Sequence, residues 1–96
     1  MNIKIDSVHF DADKKLIEFI EKKVNKLTKK SSNIIGVEVV LKLDKSETNE
    51  NKVAEIRLEV PGYDLFAKKQ AKSFEESIDN VLSALEKQIE RYKNKR

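Results

Sequence analysis

The chain has no cysteine, no tryptophan, one proline, two glycines and one histidine. Without cysteine there is no disulfide framework and no thiolate chemistry, which suits a reducing compartment. Gly36 and Gly62 stand too far apart to form a glycine-rich phosphate loop. His9 follows a strand-like segment with no catalytic partner in view, so it reads as a turn residue rather than a general base. Ser31, Ser32, Ser46, Ser73, Ser77 and Ser83 have no triad context. Asp6, Asp11 and Asp13 lie close together but lack the turn glycine and distal glutamate of a calcium loop, so helix capping explains them better than a cation. No apolar run approaches membrane-spanning length. The first ten residues alternate polar and apolar, unlike a signal peptide. These absences predict a soluble cytoplasmic protein that is not an enzyme, with no cofactor, metal, membrane or small-molecule substrate.

Aromatics are also few. Phe10, Phe19, Tyr63, Phe66, Phe74 and Tyr92 are scattered, with no run resembling a base-stacking platform. Phe74 and Tyr92 fall on an apolar helical stripe and read as packing residues. Tyr63 and Phe66 have opposite parity, which puts one of them on an open sheet face.

Apolar periodicity is the strongest positive signal. In Phe74–Arg96 the residues Phe74, Ile78, Val81, Leu82, Leu85, Ile89 and Tyr92 recur at helical spacing, and Ser73 with Glu76 forms a capping box ahead of them. Lys14–Lys30 repeats the pattern with Leu16, Ile17, Ile20, Val24 and Leu27, capped by Asp13 or Asp11. Period-two alternation marks strands at Asn2–Val8, Ile34–Asp44, Val53–Val60 and Tyr63–Lys69. Lys45–Lys52 reads as a polar hairpin loop and Pro61-Gly62 as a tight turn. The order is β-α-β-β-β-α. Each element has one apolar side, so the expected α+β fold is a four-stranded mixed sheet with both helices on one face. The first two strands are expected to be parallel neighbours and the later ones antiparallel. The 96 residues read as a single domain.

The net charge is only +3, but it is unevenly placed. Residues 13–30 carry seven lysines against three acids, and residues 91–96 carry four basic side chains and no acid. On the first helix Lys15, Lys22, Lys26 and Lys29 lie opposite the apolar stripe, flanked by Lys30; on the second, Lys87, Arg91 and Lys95 form a row. Such rows are either solvated helix faces or phosphate-binding ones. Two of them on one side of a small sheet could combine into one groove for paired phosphate strands, as in shape-based recognition of double-stranded RNA.

Over its full length the chain resembles the short-form ribosome hibernation-promoting factors and ribosome-associated translation inhibitors. The residues that carry this are NIKI, ADKKLIEFIEKKVNKL, VEVVLKLDK and SFEESIDNVLSALEKQIERYKNK. In the last of these, Phe74, Ile78-Asp79, Leu85, Gln88, Arg91, Lys93 and Lys95 stand in the family's order. The resemblance implies a non-enzymatic protein that binds the small ribosomal subunit and its 16S rRNA near the decoding region, blocking messenger and transfer RNA. It carries RNA contact over to Lys22, Lys26, Lys29, Lys87, Arg91, Lys93 and Lys95, which Lys30 joins on local charge. Where the family has an acid before the last helix this chain has Lys72, and a basic mid-helix position is Ala84; Glu86 and Glu90 narrow the patch further. The expectation is one ribosome-binding domain over 1–96, without the C-terminal dimerisation domain of long forms, so that ribosome pairing would need a second factor. Two other readings remain open on the residues alone: a general double-stranded RNA binder, and a homodimerising module using the open sheet face, which exposed Val40, Val53 or Phe66 would favour.

Overall fold

A computed structural model describes residues 2–31, 33–44 and 49–94, without the side chains of 93 and 94. Its elements are β1 (Asn2–Val8), α1 (Lys14–Lys29), β2 (Gly36–Leu43), β3 (Lys52–Val60), β4 (Tyr63–Ala71) and α2 (Phe74–Asn94). The strands form one sheet in the order β1-β2-β3-β4, with β1 parallel to β2 and the other pairs antiparallel. This is the α+β architecture that the two hydrophobic periodicities dictate.

Register puts the apolar members of all four strands on one face. Ile3 lies beside Val37, Val37 beside Leu58, and Leu58 beside Leu65. Both helices close over that face: Ile20 and Val24 of α1, and Ile78, Val81 and Leu85 of α2, are fully buried with Val39, Leu41, Ile56 and Leu58. Ile17 is only half-buried, at the margin of the α1 stripe. Leu43 shares the inward parity but is 47% exposed, because it ends β2.

Local chemistry fixes the joints. The Asp13 carboxylate accepts from the Leu16 amide at 2.8 Å, so Asp13, not Asp11, caps α1. The Ser73 hydroxyl accepts from the Glu76 amide at 3.1 Å at the start of α2. Phe10, in the β1–α1 connection, stacks on Phe74 at 5.0 Å and ties that turn to the first residue of α2. Gly62 has φ +95, a conformation that glycine adopts without a Cβ penalty, which lets the β3–β4 hairpin close in two residues. Ser77 is fully buried; its hydroxyl donates to the Lys52 carbonyl of β3 at 2.5 Å.

The opposite sheet face is open and ion-paired. Lys42 and Glu55 meet at 2.6 Å, Lys68 lies 3.9 Å from Glu55, and Arg57 bridges Glu38 and Asp64. Of the two aromatics of opposite parity, Phe66 is the one on this face, 50% exposed. Val53, whose exposure would have favoured a dimer through this face, is buried. It stands opposite Gln70, whose amide donates to Asp44 at 3.0 Å and to the Glu50 carbonyl, closing the loop ends over that corner. Of the apolar residues that would favour a dimer through this face, Phe66 is exposed, Val40 half-buried and Val53 covered.

Candidate nucleic-acid interface

The α1 stripe of Leu16, Ile20, Val24 and Leu27 faces the core, which turns Lys22, Lys26 and Lys29 outward into solvent. Lys26 and Lys29 also occupy the last turn, where cations offset the partial negative charge of the helix C-terminus. Lys30 is the C-cap residue, its amide bonded to the Leu27 carbonyl at 3.1 Å. All four are exposed, and the concentration of charge comes from chain order rather than burial.

On α2 the core residues Leu85 and Ile89 set the rotation. One flank then faces α1 and carries acids: Asp79 lies 3.5 Å from Lys23, and Glu86 3.9 Å from Lys30. The cleft between the helices is therefore partly neutralised, although Lys26 and Lys30 border it. The other flank of α2 faces β4 and carries Lys87 and Arg91. Ser83, on the crest between, borders both clefts.

The two helical rows thus do not meet in a single groove. Lys26 and Lys30 lie on one side of the α2 crest, Lys87 and Arg91 on the other, and Lys22 and Lys29 line neither cleft. The side chain of Lys93, and Lys95 altogether, lie outside the described residues.

The groove between α2 and β4 has a volume of about 670 Å³. Lys69 joins Lys87 and Arg91 along it, and no acidic residue lines it. Lys69 escaped notice in the sequence, yet the signal was present. It shares the parity of Leu65 and Ala67, so it points to the helix side from an edge strand, where a long side chain reaches water past the core. Tyr63 has the same parity and meets Tyr92 edge-to-face at 5.1 Å.

Gln88 holds the groove together. Its side-chain amide donates to the Phe66 carbonyl at 2.8 Å and accepts from the Phe66 amide at 3.3 Å. A side chain thus pairs with the outer edge of β4 as a neighbouring strand would, and this fixes α2 against the sheet. Among the described residues no buried side-chain polar atom lacks a partner, and no cluster of three His, Asp or Glu side chains could hold a metal ion. No described helix is long and apolar enough to cross a membrane.

A family model for sigma 54 modulation protein / S30EA ribosomal protein matches residues 3–96. The chain belongs to that family. This sigma 54 modulation / S30EA family is ribosome-associated and is not a family of enzymes. Among solved structures, the chain is similar to a ribosomal subunit interface protein from Coxiella burnetii, at 21% identity over 98% of this chain and 99% of that one, with a TM-score of 0.87. That likeness is one of fold. The chain is also similar to the N-terminal domain of Protein Y from Thermus thermophilus, at 25% identity over 96% and 99%, with a TM-score of 0.79. No curated protein matches the chain. Family membership explains why Leu85 and Gln88 stood out together in the sequence: one anchors α2 to the core and the other clamps it to β4.

Proposed function

We propose that this protein binds the small ribosomal subunit in the cytoplasm and inhibits translation by occupancy. Its site would lie near the decoding region, where messenger and transfer RNA otherwise pass. The observation that carries the reading is charge placement within a member of a ribosome-associated family: the helix side exposes Lys22, Lys26, Lys29, Lys87 and Arg91, while on the open sheet face Lys42, Lys68 and Arg57 are each paired with acids. Lysine and arginine bind phosphates by releasing counterions, which positions a protein on RNA without reading sequence. The neighbour from Coxiella burnetii is described as a ribosomal subunit interface protein, in keeping with a site on ribosomal RNA. Lys30 extends the α1 row, and Lys93 and Lys95 are proposed as further contacts on the sequence pattern alone. Residues 1–96 act as one ribosome-binding domain.

The test is sedimentation of the purified protein with small subunits across a salt series, with a free RNA duplex as competitor. Co-pelleting that weakens steeply with salt and resists the duplex is expected. Failure to pellet at low salt refutes the reading, and equal competition by the duplex makes the protein a general double-stranded RNA binder. Charge reversal of Lys87, Arg91 and Lys95 together should abolish pelleting and leave the circular dichroism spectrum unchanged.

A further inference from the structure

The groove between α2 and β4 differs from the open sheet and from the cleft between the helices. On the open sheet, Lys42, Lys68 and Arg57 all have carboxylate partners. Between the helices, Lys23 and Lys30 are matched by Asp79 and Glu86. Among the described residues, Lys69, Lys87 and Arg91 have no ion pair and share one concave surface. Three unmatched cations in one concavity focus a positive potential that an anion can offset.

An aromatic ring stands at the same groove. Tyr63 is 49% exposed, although it lies on the helix side of the sheet. Its edge-to-face contact with Tyr92 holds the ring plane, with the two planes 67° apart. A fixed, half-exposed ring beside cations is the combination that holds single nucleotides: the ring takes the base and the cations take the phosphate. Asn80 and Ser83 add neutral polar groups along the α2 wall. The volume of about 670 Å³ falls within the roughly 300–1,000 Å³ of small-ligand sites.

We propose that this groove seats one unpaired RNA nucleotide, its base against Tyr63 and its phosphate among Lys69, Lys87 and Arg91. The proposal rests on the ribosome-binding reading above and adds a local requirement to it, an extruded base. A duplex offers no free base face to Tyr63, because its bases are stacked and paired. An acidic peptide is a weaker occupant. Peptides commonly dock beside an edge strand by adding to it, and Gln88 already takes the amide and carbonyl of Phe66. The scattered aromatics had argued against a stacking platform. One ring in a basic groove needs no platform, because it handles one base rather than a run.

The experiment compares wild type, Tyr63→Leu and Tyr63→Phe, with fold checked by thermal melting. The first readout is affinity for small subunits across a salt series. Tyr63→Leu should weaken binding about 5- to 150-fold, the range of one lost base–aromatic stack. The slope of affinity against salt should not change, since no phosphate contact is removed. Tyr63→Phe keeps the ring face and should restore affinity. The second readout needs no ribosome. The chain has no tryptophan, so its emission reports Tyr63 and Tyr92. A six-nucleotide single-stranded RNA should quench it and a blunt RNA duplex should not. Wild-type subunit affinity in Tyr63→Leu, with salt dependence intact, overturns the nucleotide seat and leaves the ribosome reading standing. Loss of subunit binding by the wild type removes that reading, and the seat then stands or falls on quenching by the oligonucleotide. A photo-crosslinking residue placed at position 63 keeps the test open should Tyr63→Leu fail to fold. Crosslinks to ribosomal RNA support the seat, and crosslinks only to ribosomal protein overturn it.

Discussion

Gln88 shows how one side chain can serve structure and site together. It is neither charged nor part of the apolar stripe, yet it pairs with both backbone groups of Phe66 and so clamps α2 to β4 beside the basic groove. Replacing it with alanine should lower stability by about 1–2 kcal/mol, since a net hydrogen bond contributes about 0.5–1.5 kcal/mol. The melting temperature should fall by roughly 4–16 °C for a domain of this size. Exchange of the Phe66 amide, followed by hydrogen-exchange spectroscopy, should accelerate more than that of Ile56 in the centre of the sheet. The family resemblance picked out Gln88, but it could not reveal the partner. That depends on which strand lies under this turn of α2. Ser77 was opaque for the same reason: its burial against the Lys52 carbonyl follows from packing, not from a local pattern.

At the scale of elements, the helices and strands were readable to within two residues at each described end, the largest differences being the start of β2 and the end of β4. Asn2–Val8 agrees at both ends, and α1 ends one residue before the expected Lys30. Periodicity and caps are local, so they survive without tertiary information. The interhelical arrangement was not readable. A helical wheel separates the basic row of α2 from its apolar stripe, but it does not say which flank meets α1. Packing turns Asp79 and Glu86 toward α1, and Lys87 and Arg91 away. This has a measurable consequence. The Lys23–Asp79 and Lys30–Glu86 pairs are exposed, and such pairs contribute only about 0–1 kcal/mol each. The double variant Asp79→Asn, Glu86→Gln should therefore melt within a few degrees of wild type. It should also bind small subunits more tightly, because two carboxylates no longer offset the neighbouring lysines. Weaker binding in a filter assay would show that the acids contribute to recognition directly.

At the scale of the molecule, the basic rows act as two patches across the crest of α2. Reversing Lys22, Lys26 and Lys29 to glutamate should weaken subunit binding, as should reversing Lys87 and Arg91. The two losses should add in free energy when combined, since separate sites without shared partners behave independently. A combined loss well below that sum, measured by titration at fixed salt, would mean that the rows share the same phosphates. The sheet adds a constraint of another kind. Its two edges are unequal: β4 is interrupted by the Gln88 amide at Phe66, whereas β1, the opposite edge, has no such side-chain plug among the described residues. Strand-to-strand polymerisation needs two open ends per molecule. Two copies joined along β1 would present only obstructed β4 edges outward, so growth through the sheet terminates at a pair and cannot propagate into a fibre.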